Sequence, residues 1–168
     1  MTTYALGPNQ LYKWLNGDKG GYGYGKYPMP HDGKPGDWLP AVKGRLVVCV
    51  NGYHGCRPQD LVHHARHDLA IMEYEAGCER IDAGDKVVVR GPVRQLCMVA
   101  SWTKRSEYLW RADVAEHIAH LYKRRTKWQP AQTIAVVRRY AMDEATEEEM
   151  LAAYADAAAV RAAAYAAA

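Results

Sequence analysis

A change of period near residue 104 constrains this chain more than any other feature. Before it, short apolar runs are punctuated by Gly and Pro. After it, apolar residues recur every three to four positions and run into a tail that is almost pure alanine. An alanine helix has high propensity but little side-chain surface to bury, so it needs a partner surface. The pattern predicts an α+β chain. Residues 1–100 should form a small, mainly antiparallel sheet with one short helix and a Gly/Tyr/Pro-rich loop near the start. Residues 101–168 should form a helical bundle whose last helix is alanine-rich.

In the front half, residues 7–44 are rich in Gly, Pro, Lys and Tyr, and the run Gly17–Gly25 cannot hold a helix, since each Gly costs about 1 kcal/mol relative to Ala. Only Asn9 to Leu15 suits a short strand or a turn there. Leu46 to Val50 reads as a buried strand, and Asn51-Gly52 as a tight turn. Tyr53 to Cys56 resumes an extended segment. Pro58 at a first-turn position, with Asp60 behind it, predicts a short helix over 58–67. Leu69 to Ala76 alternates, with Ala70, Met72 and Tyr74 on one face and Ile71, Glu73 and Glu75 on the other. Lys86 to Arg90 and Val93 to Val99 read as strands split by Gly91-Pro92.

In the back half, 100° steps from Lys104 gather Tyr108, Trp110, Ala112, Val114, Ala115, Ile118, Ala119, Leu121 and Tyr122 on one arc. Asp113, Glu116 and His120 share the polar face. Pro130 opens a second helix through Tyr140. Thr146 with Glu149 is a capping box for a third, whose alanines run to the end.

The longest apolar run, Leu46 to Val50, is far too short to span a membrane as a helix, and Met1-Thr2-Thr3-Tyr4 lacks a signal-peptide pattern. Cys49, Cys56, Cys78 and Cys97 form no CxxC pair, so reduced thiols and a cytoplasmic setting (host cytoplasm, if phage-encoded) are expected. A net charge of +3 is too small to imply a polyanionic partner.

Two segments resemble known families. Leu109-Trp110, Asp113 to Glu116, His120 to Tyr122, Pro130, Ile134 and Arg138 to Ala141, followed by alanine-rich helices, resemble the fifth immunity-protein family of polymorphic toxin systems over residues 101–160. Arg111 and Val114 depart from that pattern, which has small residues or Cys there. Gly52-Tyr53-His54-Gly55-Cys56, with Pro58, Asp60, Glu73 to Glu75 and Asp85 to Val88, resembles a motif of actinobacterial and phage proteins over residues 45–97. Neither resemblance carries an activity. The first implies a protein that works by binding another protein.

Candidate sites follow from chemistry. Asp113, Glu116 and His120 stand at i, i+3 and i+7, one stripe of the helix that would suit a metal or a partner; because the resemblance includes Arg138 of the next helix, we expect the stripe to pair with Arg138 instead. Tyr22, Tyr24 and Tyr27 of the Gly-rich loop supply large amphipathic rings suited to a binding surface. His54, Cys56, His63, His64 and His67 invite a zinc hypothesis, with His63 and His67 four apart, but paired-cysteine spacing is missing and no metal is expected. Glu73 and Glu75 on a strand, with Tyr53-His54 and Lys13 upstream, are similar to the ADP-ribosyltransferase arrangement, in which a strand glutamate stabilises the ribosyl cation. The early basic residue is here Lys13, and the Ser-Thr-Ser strand is missing. Lys123 to Trp128 could grip phosphates beside a ring, though a cationic helix end also suits the helix dipole.

The expectation is a non-enzymatic protein-binding factor, immunity-like or for phage–host interaction, with no cofactor. Its partner is a protein, with self-association through the alanine helix as one form of it. An NAD-dependent ADP-ribosyltransferase-like enzyme and a nucleic-acid binder are the alternatives.

Overall fold

The computed structural model describes residues 5–17, 20, 25–122 and 130–166. The chain divides into two compact units, Met1–Thr103 and Lys104–Ala168, and is α+β.

Among its described residues the first unit carries six strands: β1 (Gln10–Leu15), β2 (Tyr53–Gly55), β3 (Asp68–Tyr74), β4 (Arg80–Asp82), β5 (Val87–Val89) and β6 (Val93–Met98). They form two antiparallel three-stranded sheets, ordered β1-β3-β6 and β2-β5-β4. Reciprocal backbone hydrogen bonds join the sheets: Tyr12 N–H donates to Cys56 O at 2.9 Å, and Cys56 N–H to Tyr12 O at 2.7 Å. Gly55 sits where the two meet. A Cβ there would stand 2.7 Å from Leu11 Cβ, so the close approach requires glycine.

β1 is buried on both faces, because alternation sends successive side chains into two separate cores. Leu11 joins Met72, Tyr74, Val87, Val89 and Val93 between the sheets. Tyr12 and Trp14 join Leu69, Ile71 and Val99 on the other side, beneath Leu61 and Trp102. Trp14 Nε1 donates to Leu61 O and Trp102 Nε1 to Arg66 O, each at 3.1 Å, and the two indoles meet edge to face at 4.8 Å.

Two expectations are corrected, and one strand is new. Leu46 to Val50 is a turn, not a strand: Val47 O accepts from Val50 N–H and Asn51 N–H, Cys49 has φ +63°, and Val50 is 81 % exposed. The Asn51 amide, donating to Lys43 O and Arg45 O, holds that turn closed. The helix expected over 58–67 is a 3-10 helix, Pro58–His63, with Asp60 buried and bonded to Arg57 Nε at 2.6 Å. β4 was not anticipated, since Arg80-Ile81-Asp82 offers a single apolar residue.

The second unit has α1 (Lys104–Tyr122), α2 (Pro130–Ala141) and α3 (Glu147–Ala166). Ala112, Ile134, Val137 and Met150 form its core, with Tyr108 and Tyr140 edge to face at 5.1 Å beside it. The capping box is present: Thr146 N–H donates to Glu149 Oε2 at 2.7 Å, and Glu149 N–H to Thr146 Oγ1 at 3.1 Å. The apolar arc of α1 is narrower than expected. Val114 is exposed, whereas Glu107 is buried and bonded by Arg111 at 2.5 Å. Among the described residues no helix is long and apolar enough to cross a membrane.

Candidate functional site

On the helical unit, Arg138 of α2 reaches both Asp113 (2.8 Å) and Glu116 (2.6 Å) of α1. The expected pairing is thus made, but the carboxylates are not buried. Their side chains are 63 % and 66 % exposed, because they lie at the rim of the α1–α2 seam. His120 lies on the same helix, with its side chain outside the described residues. The run 123–128, Tyr22 and Tyr24 also lie outside them.

Beside that seam, a groove of about 290 Å³ opens between the three helices. Ala112 and Ala115 from α1, Ile134 and Val137 from α2, and Tyr154 and Ala157 from α3 line it. The alanines keep it wide. Arg111 and Thr133 are its polar margins.

On the β unit, the elements gather Lys13, Tyr27, Tyr53, His54 and Cys56. Lys13 lies on β1 between Leu11 and Leu15, both buried, and is itself 5 % exposed. Its Nζ donates to His54 O at 2.8 Å and lies 5.0 Å from the centre of the Tyr27 ring. Burial pulls the Lys13 amine down to about 8. Burial also raises the Tyr27 phenol, with Tyr53 reinforcing it, and pushes the Cys56 thiol up to about 11 despite the nearby Lys13. His54 is held neutral: burial first, then the Lys13 and Lys86 charges, lower it to about 4. Its Nε2 accepts the Cys49 N–H at 2.8 Å.

The residues of the ADP-ribosyltransferase-like reading do not converge. Glu73 is one register step from the Lys13 face of the sheet and is taken by Arg94 at 2.7 Å, while Glu75 is exposed beyond the end of β3. A glutamate and a basic residue on opposite faces of one sheet cannot share a ligand. The metal candidates are dispersed as well. The 3-10 helix ends at His63, so His63 and His67 share no helical face. His64 pairs with Asp85 at 3.0 Å, and the His54 Nε2 lone pair is already used. Among the described residues, no three His, Cys, Asp or Glu side chains are gathered to hold a metal.

One residue escaped sequence reasoning altogether. Gln95 is fully buried, and neither its Oε1 nor its Nε2 has a hydrogen-bond partner. Nothing in Val93-Arg94-Gln95-Leu96 separates it from an ordinary strand-face glutamine. Lys13 did leave a signal, the apolar alternation of Leu11 and Leu15 around it.

In comparisons with protein-family models, curated proteins and solved structures, nothing matches this chain.

Proposed function

We propose that this chain is a non-enzymatic protein-binding factor of the immunity or phage–host-interaction kind, acting in the cytoplasm and holding its partner on the helical unit. The apolar groove between α1, α2 and α3 carries the reading. Its apolar lining comes from the small side chains of Ala112, Ala115 and Ala157 and from Ile134, Val137 and Tyr154, of which Ala112, Ile134 and Val137 are largely buried among the helices. Tyr154 of its lining is 37 % exposed, and the same unit also exposes Val114 and Leu151, at 39 % and 57 %. The partner that fits is an amphipathic helix presenting large apolar residues at helical spacing. A second copy of this chain, docking through α3, is the homo-oligomeric form of the same mode. The Arg138 pairs tie α2 to α1, two of the three helices that line the groove.

The test is affinity capture with wild type and Ala115→Glu, which places a charge in the groove, alongside light scattering of both. A protein or second copy retained by wild type and lost from the folded variant supports the reading. Identical retention by both proteins overturns it.

A further inference from the structure

A lysine placed between two buried leucines on an interior strand face must find compensation, because a buried ammonium is costly unless paired and fully hydrogen-bonded. Lys13 has three N–H donors. One goes to His54 O, and the ring of Tyr27 lies on another side. Among the described residues no carboxylate lies within ion-pair distance of it.

Gln95 supplies an independent observation. It stands opposite Met72, which stands opposite Leu11, so it belongs to the same interior face as Lys13. The irregularity between Ile71 and Met72 sends Leu96 and Cys97 together to the outer core and leaves Gln95 pointing inward. Between the two residues, β3 contributes Ala70, directly across from Lys13 and the smallest side chain on that face. Strand spacing and rise put the two Cα atoms roughly 12 Å apart, a span two long side chains can bridge with a small molecule between their tips. The 25–40 segment pairs with the open edge of β6, Gly36 N–H donating to Gln95 O at 2.8 Å and Leu39 N–H to Val93 O at 2.7 Å.

We propose that the β unit binds a small oxyanion bearing its own hydroxyl, such as hydrogen phosphate or a hydroxycarboxylate, between Lys13 and Gln95. The anion's oxygens accept from the Lys13 ammonium and from Gln95 Nε2. The ligand's hydroxyl donates to Gln95 Oε1. One ligand thereby satisfies the buried cation and both ends of the buried amide. A simple halide would leave Oε1 orphaned, so the site discriminates by hydrogen bonding as well as by charge.

The test is titration calorimetry of the full chain at neutral pH with inorganic phosphate, glycolate and chloride at matched ionic strength. Lys13→Met and Gln95→Met serve as volume-conserving variants, and Lys26→Met, at an exposed position, as the control. Saturable binding of phosphate or glycolate is expected, weakened at least about tenfold in both interior variants and unchanged in the control. Which of the two probes binds identifies the source of the anion. Gln95→Glu places a carboxylate on the Lys13 face. Its repulsion of a second anion should abolish oxyanion binding. Absence of binding by wild type, equal binding by all variants, or equal binding of chloride overturns the proposal.

Discussion

Arg138 of α2 holds Glu116 of α1 at 2.6 Å across a seam that stays wet, with the Glu116 side chain 66 % exposed. The same guanidinium reaches Asp113. The pair therefore fixes helix register without the desolvation that makes buried ion pairs so sensitive to truncation.

The first prediction follows from that exposure. Arg138→Ala should destabilise the protein by about 1 kcal/mol or less, as exposed pairs do, and not by the 3–5 kcal/mol of a broken buried pair. The deficit should shrink further in high salt, where exposed charges are screened. Urea melts of both proteins at low and high ionic strength check it.

A second prediction concerns acid. His54 is ordinarily half-protonated near 6.5 and is lowered here to about 4 by burial and by the Lys13, Lys86 and His64 charges. Protonation would also forfeit the Cys49 N–H bond to Nε2. The unfolded chain therefore binds the proton at higher pH than the folded one, so stability falls as pH drops from about 6.5 to 4. His54→Gln should flatten that part of the pH profile. Thermal melts across the range measure it, and an unchanged slope in the variant would remove His54 from the account.

Legibility differed between the two halves for a physical reason. Helical information is local: Thr146 and Glu149 three residues apart suffice for a capping box, and spacing alone puts Asp113 and Glu116 on one stripe, although matching that stripe to Arg138 rests on the family resemblance. In the β unit, placement depends on partners distant in sequence. Val47 to Val50 has strand composition, yet it turns because Asn51 ties back to Lys43 and Arg45 and Cys49 takes φ +63°. Glu73 and Lys13 looked like candidates for one site until the register of β1 on β3 put them on opposite faces. Gln95 became a buried, unpartnered amide only through an irregularity in strand pairing that no local pattern announces.

The last prediction uses Lys13 itself. Its amine, ordinarily near 10.5, is lowered to about 8 by burial, with only the Cys56 thiol acting in the opposite direction. Between those values the unfolded chain holds a proton that the folded chain has released, so stability rises as pH increases from 8 toward 10.5. The Cys56 thiol, pushed up to about 11, works against this above its ordinary value of 9. The raised Tyr27 phenol does so above 10. The Lys13 effect is therefore cleanest between pH 8 and 9. Lys13→Met keeps the bulk and removes the charge. It should make the ligand-free protein more stable at neutral pH by up to about 3 kcal/mol, the order of magnitude corresponding to a displacement from 10.5 to about 8. It should also abolish the rise between pH 8 and 9. Chemical denaturation of both proteins across that interval, in a buffer free of oxyanions, decides the matter. A variant less stable than wild type at neutral pH would mean that Lys13 is already compensated in the folded chain.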